Sequence, residues 1–412
     1  MVDVRLSRTC ARDNRNVLLI LTLALMVRIF WALLVPVDPV SDANMYHMFA
    51  QEITAGRGYV YPDGRPTAYW PVGPSAFYAF FYALVGVNGI SVVFANLMLS
   101  GALVIAICRL GVLYFDQRVG QLAALIFALW PLWIQFTTIL SSELPFVTLM
   151  TYAFVVRREP HLPHWCRTIL SIALIVGAAY MRPTILPLII VLPLLDEPFR
   201  KPIRMAMHTL LALIIAAALL APWAERNRAL FGERVLISAN FGANLWMGNN
   251  AKSDGAYMPL PEIETGDELS RDRHFRDSAI EFIRNNPVKY VQLCLRRVAH
   301  SFDRESIGIA WNEKSIERTL QPVLKAVSAL YWFVIFALSL AGMYRFIRED
   351  PLRVFHSLIV APAMFAAVAI LVVGQDRYHM PLMPFVALFA SFFVVNAFGR
   401  STILSKPIES PD

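Results

Sequence analysis

Long apolar runs separated by short charged segments dominate the chain. Eight runs stand out, at 17–37, 90–115, 119–137, 140–156, 207–222, 323–347, 354–373 and 379–398. A helix needs about 20 apolar residues to cross a hydrocarbon layer of about 30 Å, so each run predicts a spanning helix. A ninth run, 168–195, is interrupted by Met181-Arg182-Pro183. Basic clusters before it, Arg157, Arg158 and Arg167, and after it, Arg200, Lys201 and Arg204, both belong in the cytoplasm, so parity predicts two short crossings.

Charge between the runs predicts their orientation. Arg5, Arg8, Arg12 and Arg15 precede the first run, which is too long for a signal peptide and lacks a small-residue cleavage site. It reads as an uncleaved anchor with a cytoplasmic tail. Arg109 and Arg118, then Arg157, Arg158 and Arg167, then Arg200, Lys201 and Arg204, then Arg345, Arg348 and Arg353 all fall inside when crossings alternate. Ten crossings with both ends cytoplasmic satisfy this bias. The predicted divisions are a basic tail at 1–16, a membrane region at 17–222 with an external loop at 38–89, an external cap at 223–321, a second membrane region at 322–398 and a tail at 399–412.

Composition agrees. Of 412 residues 57% are hydrophobic and only 16% charged, against about 25% charged in ordinary soluble domains. Disordered chains and disulfide-stapled scaffolds are excluded. The fold class expected is an all-α polytopic membrane protein with external juxtamembrane helices and a small, mainly helical cap. The net charge of +7 belongs to cytoplasmic loops, and no nucleic-acid partner is read from it. Cys10, Cys108 and Cys166 map inside and Cys294 outside, so no external disulfide is expected. No zinc-hydrolase, P-loop or dinucleotide motif occurs.

Within the cap, the stretch from Asp267 to Arg284 predicts a helix ending at Asn285-Asn286-Pro287. After it, Val291, Leu295, Val298 and Phe302 recur at helical spacing, with Arg296 and Arg297 between them. That pattern suits a helix lying on a membrane or one packed inside the cap.

Candidate chemistry gathers at predicted outer helix ends. Pro36-Val37-Asp38-Pro39-Val40-Ser41-Asp42 ends the first span and presents acids at the surface. Asp42, one turn before Tyr46, suits a general base or a helix N-cap. Glu143, in Ser141-Ser142-Glu143-Leu144-Pro145, suits a second carboxylate or a charge complementing a helix end. Together Asp42 and Glu143 offer oxygen ligands for a divalent cation, or mutual repulsion that raises one pKa. Arg182, Arg226 and Arg377 are candidate anion ligands, because guanidinium matches phosphate oxygens; Arg377 is also placed to pair with Asp376. Arg28, inside the first span, should face protein, water or a headgroup, or snorkel to the interface.

At these residues the chain resembles the GT-C membrane glycosyltransferases, in the branch of the protein O-mannosyltransferases and the lipid A aminoarabinose transferase. The shared segments are Asp42 to Tyr46, Gly56-Arg57-Gly58-Tyr59, Pro66-Thr67-Ala68-Tyr69-Trp70-Pro71-Val72-Gly73-Pro74, Ser142-Glu143-Leu144-Pro145 and Arg182-Pro183. They continue with Pro222-Trp223, Arg226-Asn227, Leu245-Trp246-Met247-Gly248-Asn249-Asn250, Gly255-Ala256-Tyr257 and Arg377-Tyr378 with Pro381. One departure is Ala43, where many relatives carry a second acid after the aspartate.

The resemblance implies a sugar donor on a polyprenyl phosphate and a lipid, glycan or protein acceptor arriving from outside. It also implies a bacterial inner membrane with the site on the extracytoplasmic face. Asp42 would be the base of one inverting displacement. Arg182, Arg226, Arg377, Arg296 and Arg297 would hold the donor phosphate, and Tyr46, Tyr69, Trp70, Asn249, Asn250 and Tyr378 would contact substrate. No cofactor is required by this reading, and a divalent cation is compatible with it. Two other functions fit a membrane chain: a flippase or transporter of lipid-linked sugars, and a polysaccharide polymerase or ligase using a pyrophosphate-linked donor. Transporters often show internal repeats and midplane charges; no repeat is evident here.

Overall fold

A computed structural model describes residues 2–196, 202–263 and 266–398, and side chains from residue 14 onward apart from that of Asp196. The 399–412 tail, Arg200 and Lys201, and the side chains of Arg5, Arg8, Cys10 and Arg12 lie outside the described residues. Seventeen α-helices are described: α1 Val2–Leu34, α2 Asp42–Thr54, α3 Val72–Val85, α4 Gly89–Tyr114, α5 Gln117–Ala128, α6 Pro131–Gln135, α7 Glu143–Arg158, α8 His164–Met181 and α9 Leu188–Asp196. They continue with α10 Pro202–Phe231, α11 Phe241–Gly248, α12 Glu268–Asn285, α13 Pro287–Phe302, α14 Ile307–Trp311, α15 Gln321–Glu349, α16 Ser357–Leu371 and α17 Met383–Phe398. Among the described residues no strand forms; two isolated bridges, Val60 with Pro66 and Ala256 with Gly374, are the extent of β pairing.

Every apolar run becomes helix, but the lengths differ. Six helical stretches are long and apolar enough to cross a membrane: Asn14–Leu34, Gly89–Tyr114, His164–Met181, Pro202–Phe231, Gln321–Glu349 and Asp376–Phe398. The run at 119–137 is a broken pair, Gln117–Ala128 and Pro131–Thr138, bent by 55°. The second half of the interrupted run is the short apolar stretch Pro183–Leu195, and the run at 354–373 is the 15-residue α16. At about 1.5 Å per residue, α16 is only about 22 Å long and α7, with 16 residues, about 24 Å. Large apolar side chains on α1, α10 and α15, including Leu33, Ile203 and Leu330, face outward, as helices surrounded by lipid require.

The break between α5 and α6 falls at Trp130-Pro131, where carbonyls at the end of α5 call for donors beyond the backbone's own. Arg28 supplies them. Fully buried, it donates to the carbonyls of Ala128 at 2.8 Å, Phe127 at 3.5 Å and Ala24 at 3.0 Å. The span therefore carries its arginine against protein, and irregular backbone at that depth is tolerated because side-chain donors meet it.

Outside the long helices the residues between α10 and α15 are mainly helical. The helix expected from Asp267 is α12, with the Asp267 carboxylate accepting from the Ser270 N–H at 2.8 Å, a cap worth about 1 kcal/mol. α10 runs on through Pro222 to Phe231, so its last turns carry Arg226 beyond the apolar run.

Candidate active site

Asp42 is the first residue of α2, directly after Ser41. Ser41 is the one non-glycine residue at positive φ among the described residues, at 52°. Such a conformation costs about 1–3 kcal/mol and persists where the surroundings enforce it. No side chain caps α2. The Asp42 carboxylate instead meets Arg377, with Oδ2 2.5 Å from the guanidinium.

Glu143 opens α7 and lies on the same guanidinium, 3.6 Å from Arg377. Its Oε1 also accepts from Arg182, which bonds the Ser142 hydroxyl at 3.1 Å as well. Two carboxylates and two arginines thus form one alternating, formally neutral quartet: Asp42, Arg377, Glu143, Arg182. Arg377 pairs with Asp42 rather than Asp376. Asp376 accepts from the N–H groups of Ser306 and Ile307 at 2.8 and 3.0 Å, where α14 begins. Exposure separates the two acids: the Asp42 side chain retains 15% and the Glu143 side chain 1%. An incoming group therefore reaches Asp42 first.

Aromatic rings hold the guanidinium planes. Tyr378 stands 5.5 Å from both Arg182 and Arg377, and Trp311 stands 5.2 Å from Arg377, within cation–π range. Tyr46 is buried, and its ring lies edge-on to Trp70 at 6.2 Å. Burial, then the charges of Asp42 and Glu143, raise the Tyr46 phenol pKa, so it remains a protonated donor. Trp70 packs edge-on against Tyr69 at 5.3 Å, and burial pushes the Tyr69 phenol up to about 12.

The turn leading to Glu143 is braced by residues that sequence reasoning missed. Asn96 donates to the carbonyls of Phe136, Thr137 and Ile139 at 3.0–3.3 Å, and the Tyr78 hydroxyl accepts from the Ser141 N–H at 3.0 Å. A buried asparagine inside an apolar run was the available signal. Gly73 serves the neighbouring α3: a Cβ there would stand 2.5 Å from the Tyr180 carbonyl oxygen. Only glycine lets the aromatic loop pack against the chain entering Arg182.

Several expected ligands are engaged elsewhere. Arg226 donates to the carbonyls of Thr67 and Tyr59 at 2.8 and 2.9 Å. With Glu268, which accepts from the Thr67 hydroxyl at 2.8 Å and the Ala68 N–H, it pins the aromatic loop. Arg297, fully buried, donates to the carbonyls of Ile370 and Leu371, each at 3.0 Å, to that of Gly248, and to Asn249 Oδ1 at 2.6 Å. Asn249 also donates to the Val372 carbonyl at 3.1 Å, and Asn250 to the Trp246 carbonyl at 2.8 Å. Arg297 and Asn249 therefore join α11, α13 and the end of α16, because unpaired helix-end carbonyls attract the nearest strong donor, while Asn250 closes the end of α11. Arg296 is exposed on another face of α13. No three His, Cys, Asp or Glu residues gather as a metal site among the described residues. Arg377 lies between Asp42 and Glu143 and bridges the two carboxylates.

Residues 70–224 match the sequence model of the family described as dolichyl-phosphate-mannose-protein mannosyltransferase. Among curated proteins no sequence matches. The fold is similar to the oligosaccharyltransferase AglB from Archaeoglobus fulgidus in complex with an inhibitory peptide and a dolichol-phosphate. The TM-score is 0.53 at 15% identity, over 95% of this chain and 52% of that one. The apo form of the same enzyme gives 0.55 at 12% identity, over 94% and 50%. ArnT from Cupriavidus metallidurans bound to undecaprenyl phosphate gives 0.48 at 13% identity, over 92% and 77%. The chain spans about half the length of the AglB structures it matches.

Proposed function

We propose that the chain is a membrane glycosyltransferase of the GT-C kind, which moves a monosaccharide from a polyprenyl phosphate to an acceptor hydroxyl or amine. The observation that carries the reading is the quartet, in which a partly exposed Asp42 is tied to Arg377 while a buried Glu143 holds Arg377 and Arg182 together.

In the proposed step an acceptor lone pair attacks sugar C1 as the C1–O bond to the lipid phosphate breaks, inverting that carbon. The acceptor proton passes to the Asp42 carboxylate. The bonding pair leaves on the phosphate, whose growing charge Arg377 and Arg182 stabilise with N–H groups beyond those in the ion pairs. Phosphate is a competent leaving group, so the step requires no general acid. Trp70 and Tyr69 line the approach beside Tyr46, where rings suit a sugar face. Glu143 acts by positioning the arginines. The charge bias of the loops supports a site on the extracytoplasmic face, and the family resemblance supports a bacterial plasma membrane.

The test is a panel of polyprenyl-phosphate monosaccharides offered to the purified full chain, with donor consumption followed by release of free lipid phosphate. Turnover of one donor that is lost in Asp42→Asn supports the reading. Translocation of an intact donor across a vesicle without turnover would make the chain a flippase, and turnover only of pyrophosphate-linked oligosaccharides a polymerase or ligase.

A further inference from the structure

The helix α13 exposes a stripe that the protein does not cover. Val288, Val291, Leu295 and Val298 retain 72, 57, 68 and 41% of their surface. Their spacing of three, four and three residues places them on one face. On another face Leu293, Arg297 and Ser301 are buried. Phe302, expected in the stripe, turns inward and stacks on Trp332 and Phe336 of α15, with centroids 6.4 and 6.0 Å apart.

One end of α13 is tied to the end of an apolar helix, and the other packs against the middle of one. Near its start the Tyr290 hydroxyl donates to the Leu371 carbonyl at 3.4 Å, and Arg297 takes the Ile370 and Leu371 carbonyls, which closes the last turn of α16. Its last residue sits against α15. The exposed stripe is therefore held at the level where α16 ends, beside Leu371, which is itself half exposed. A third face, between the stripe and the buried one, carries Lys289, Gln292 and Arg296; Gln292 and Arg296 are exposed. Water on the stripe would leave four large apolar groups hydrated at the boundary of an apolar bundle. A bilayer accounts for all three faces: protein on one, acyl chains on the next, headgroups and water on the third.

We propose that α13 is an interfacial helix whose Val288, Val291, Leu295 and Val298 stripe rests in the hydrocarbon boundary of the bilayer, with Lys289 and Arg296 directed to lipid phosphates. Arg297 fixes its rotation about its own axis by binding the α16 terminus. This assignment is independent of the transfer chemistry and stands or falls separately from it.

The experiment places nitroxide labels at Val291→Cys, Leu295→Cys and Gln292→Cys, one at a time, in the full chain with its native cysteines replaced. The protein is held in nanodiscs of phosphatidylethanolamine and phosphatidylglycerol. Oxygen should relax the labels at 291 and 295 more than an aqueous nickel chelate does, with the order reversed at 292. A stripe more accessible to nickel than to oxygen would overturn the proposal. So would dipolar broadening between labels at 291, which would make the stripe a contact between two copies. If the cysteine-free background fails to fold, a photoreactive phenylalanine at Val291 in the chain with its native cysteines replaces it. Lipid adducts are then expected, and adducts to protein alone overturn the assignment.

Discussion

Asp42 and Arg377 lie 335 positions apart in the chain, yet their side chains meet at 2.5 Å. Each comes from the first residues of its own short element, one opening α2 and the other in the 3-10 turn before α17. If Asp42 takes the acceptor proton and Arg377 both orients it and stabilises the leaving phosphate, the two act as a unit. Asp42→Asn should lower kcat by about 10²–10⁴-fold, and Arg377→Ala by a comparable factor. The double variant should lose far less than the product of the two. A cycle measured in kcat/KM with the accepted donor checks this, and multiplicative losses would dissolve the pair.

Glu143 is a different kind of acid. It is buried with arginines on two sides, so Glu143→Gln leaves both cations short of a partner, a change worth roughly 3–5 kcal/mol for buried pairs. The expected outcome is a clear drop in the thermal unfolding midpoint of the detergent-solubilised protein, much larger than that of Asp42→Asn. Equal midpoints for the two variants would count against the division of labour.

Arg182 and Arg297 should separate by kinetics. Arg182→Lys removes planar donors from the quartet, and a lost charged hydrogen bond of about 1.5–3 kcal/mol corresponds to a KM for the donor raised about tenfold or more. Arg297→Lys instead loosens the carbonyls of Ile370, Leu371 and Gly248. It should lower the unfolding midpoint while leaving donor KM unchanged. A raised donor KM in Arg297→Lys would return that residue to phosphate binding.

Glu268 gives a pH dependence. Burial raises its pKa, opposed by the Ala68 N–H, the Thr67 hydroxyl and Arg226. A carboxyl that binds its proton more tightly in the folded state adds stability that is complete below its ordinary value, about 4.3, and is lost as pH rises through the raised value. Glu268→Gln keeps a neutral group beside Thr67 and Ala68. Relative to the parent protein, it should therefore gain in unfolding midpoint on going from pH 5 to pH 8. A parallel pH response in both proteins would show that this carboxyl titrates alike in folded and unfolded chains.

Much of the architecture is local and was legible residue by residue. The apolar runs become helices because a lipid-facing backbone must bond to itself. The start of α12 follows from one aspartate, and the break before Pro183 from proline chemistry. The aspartate after the first span and the glutamate opening α7 were visible as acids at helix starts.

The sorting of the arginines was not legible, because Arg182, Arg226, Arg297 and Arg377 look alike in the chain: each lies at or near a helix end or a helix break among apolar or aromatic residues. Packing distinguishes them. Arg226 and Arg297 settle on orphan backbone carbonyls, while Arg182 and Arg377 settle on carboxylates. A guanidinium satisfies whichever acceptor the assembled helices bring within reach. That proximity is set by contacts among elements from 39 to 335 positions apart in the chain, where no local propensity operates.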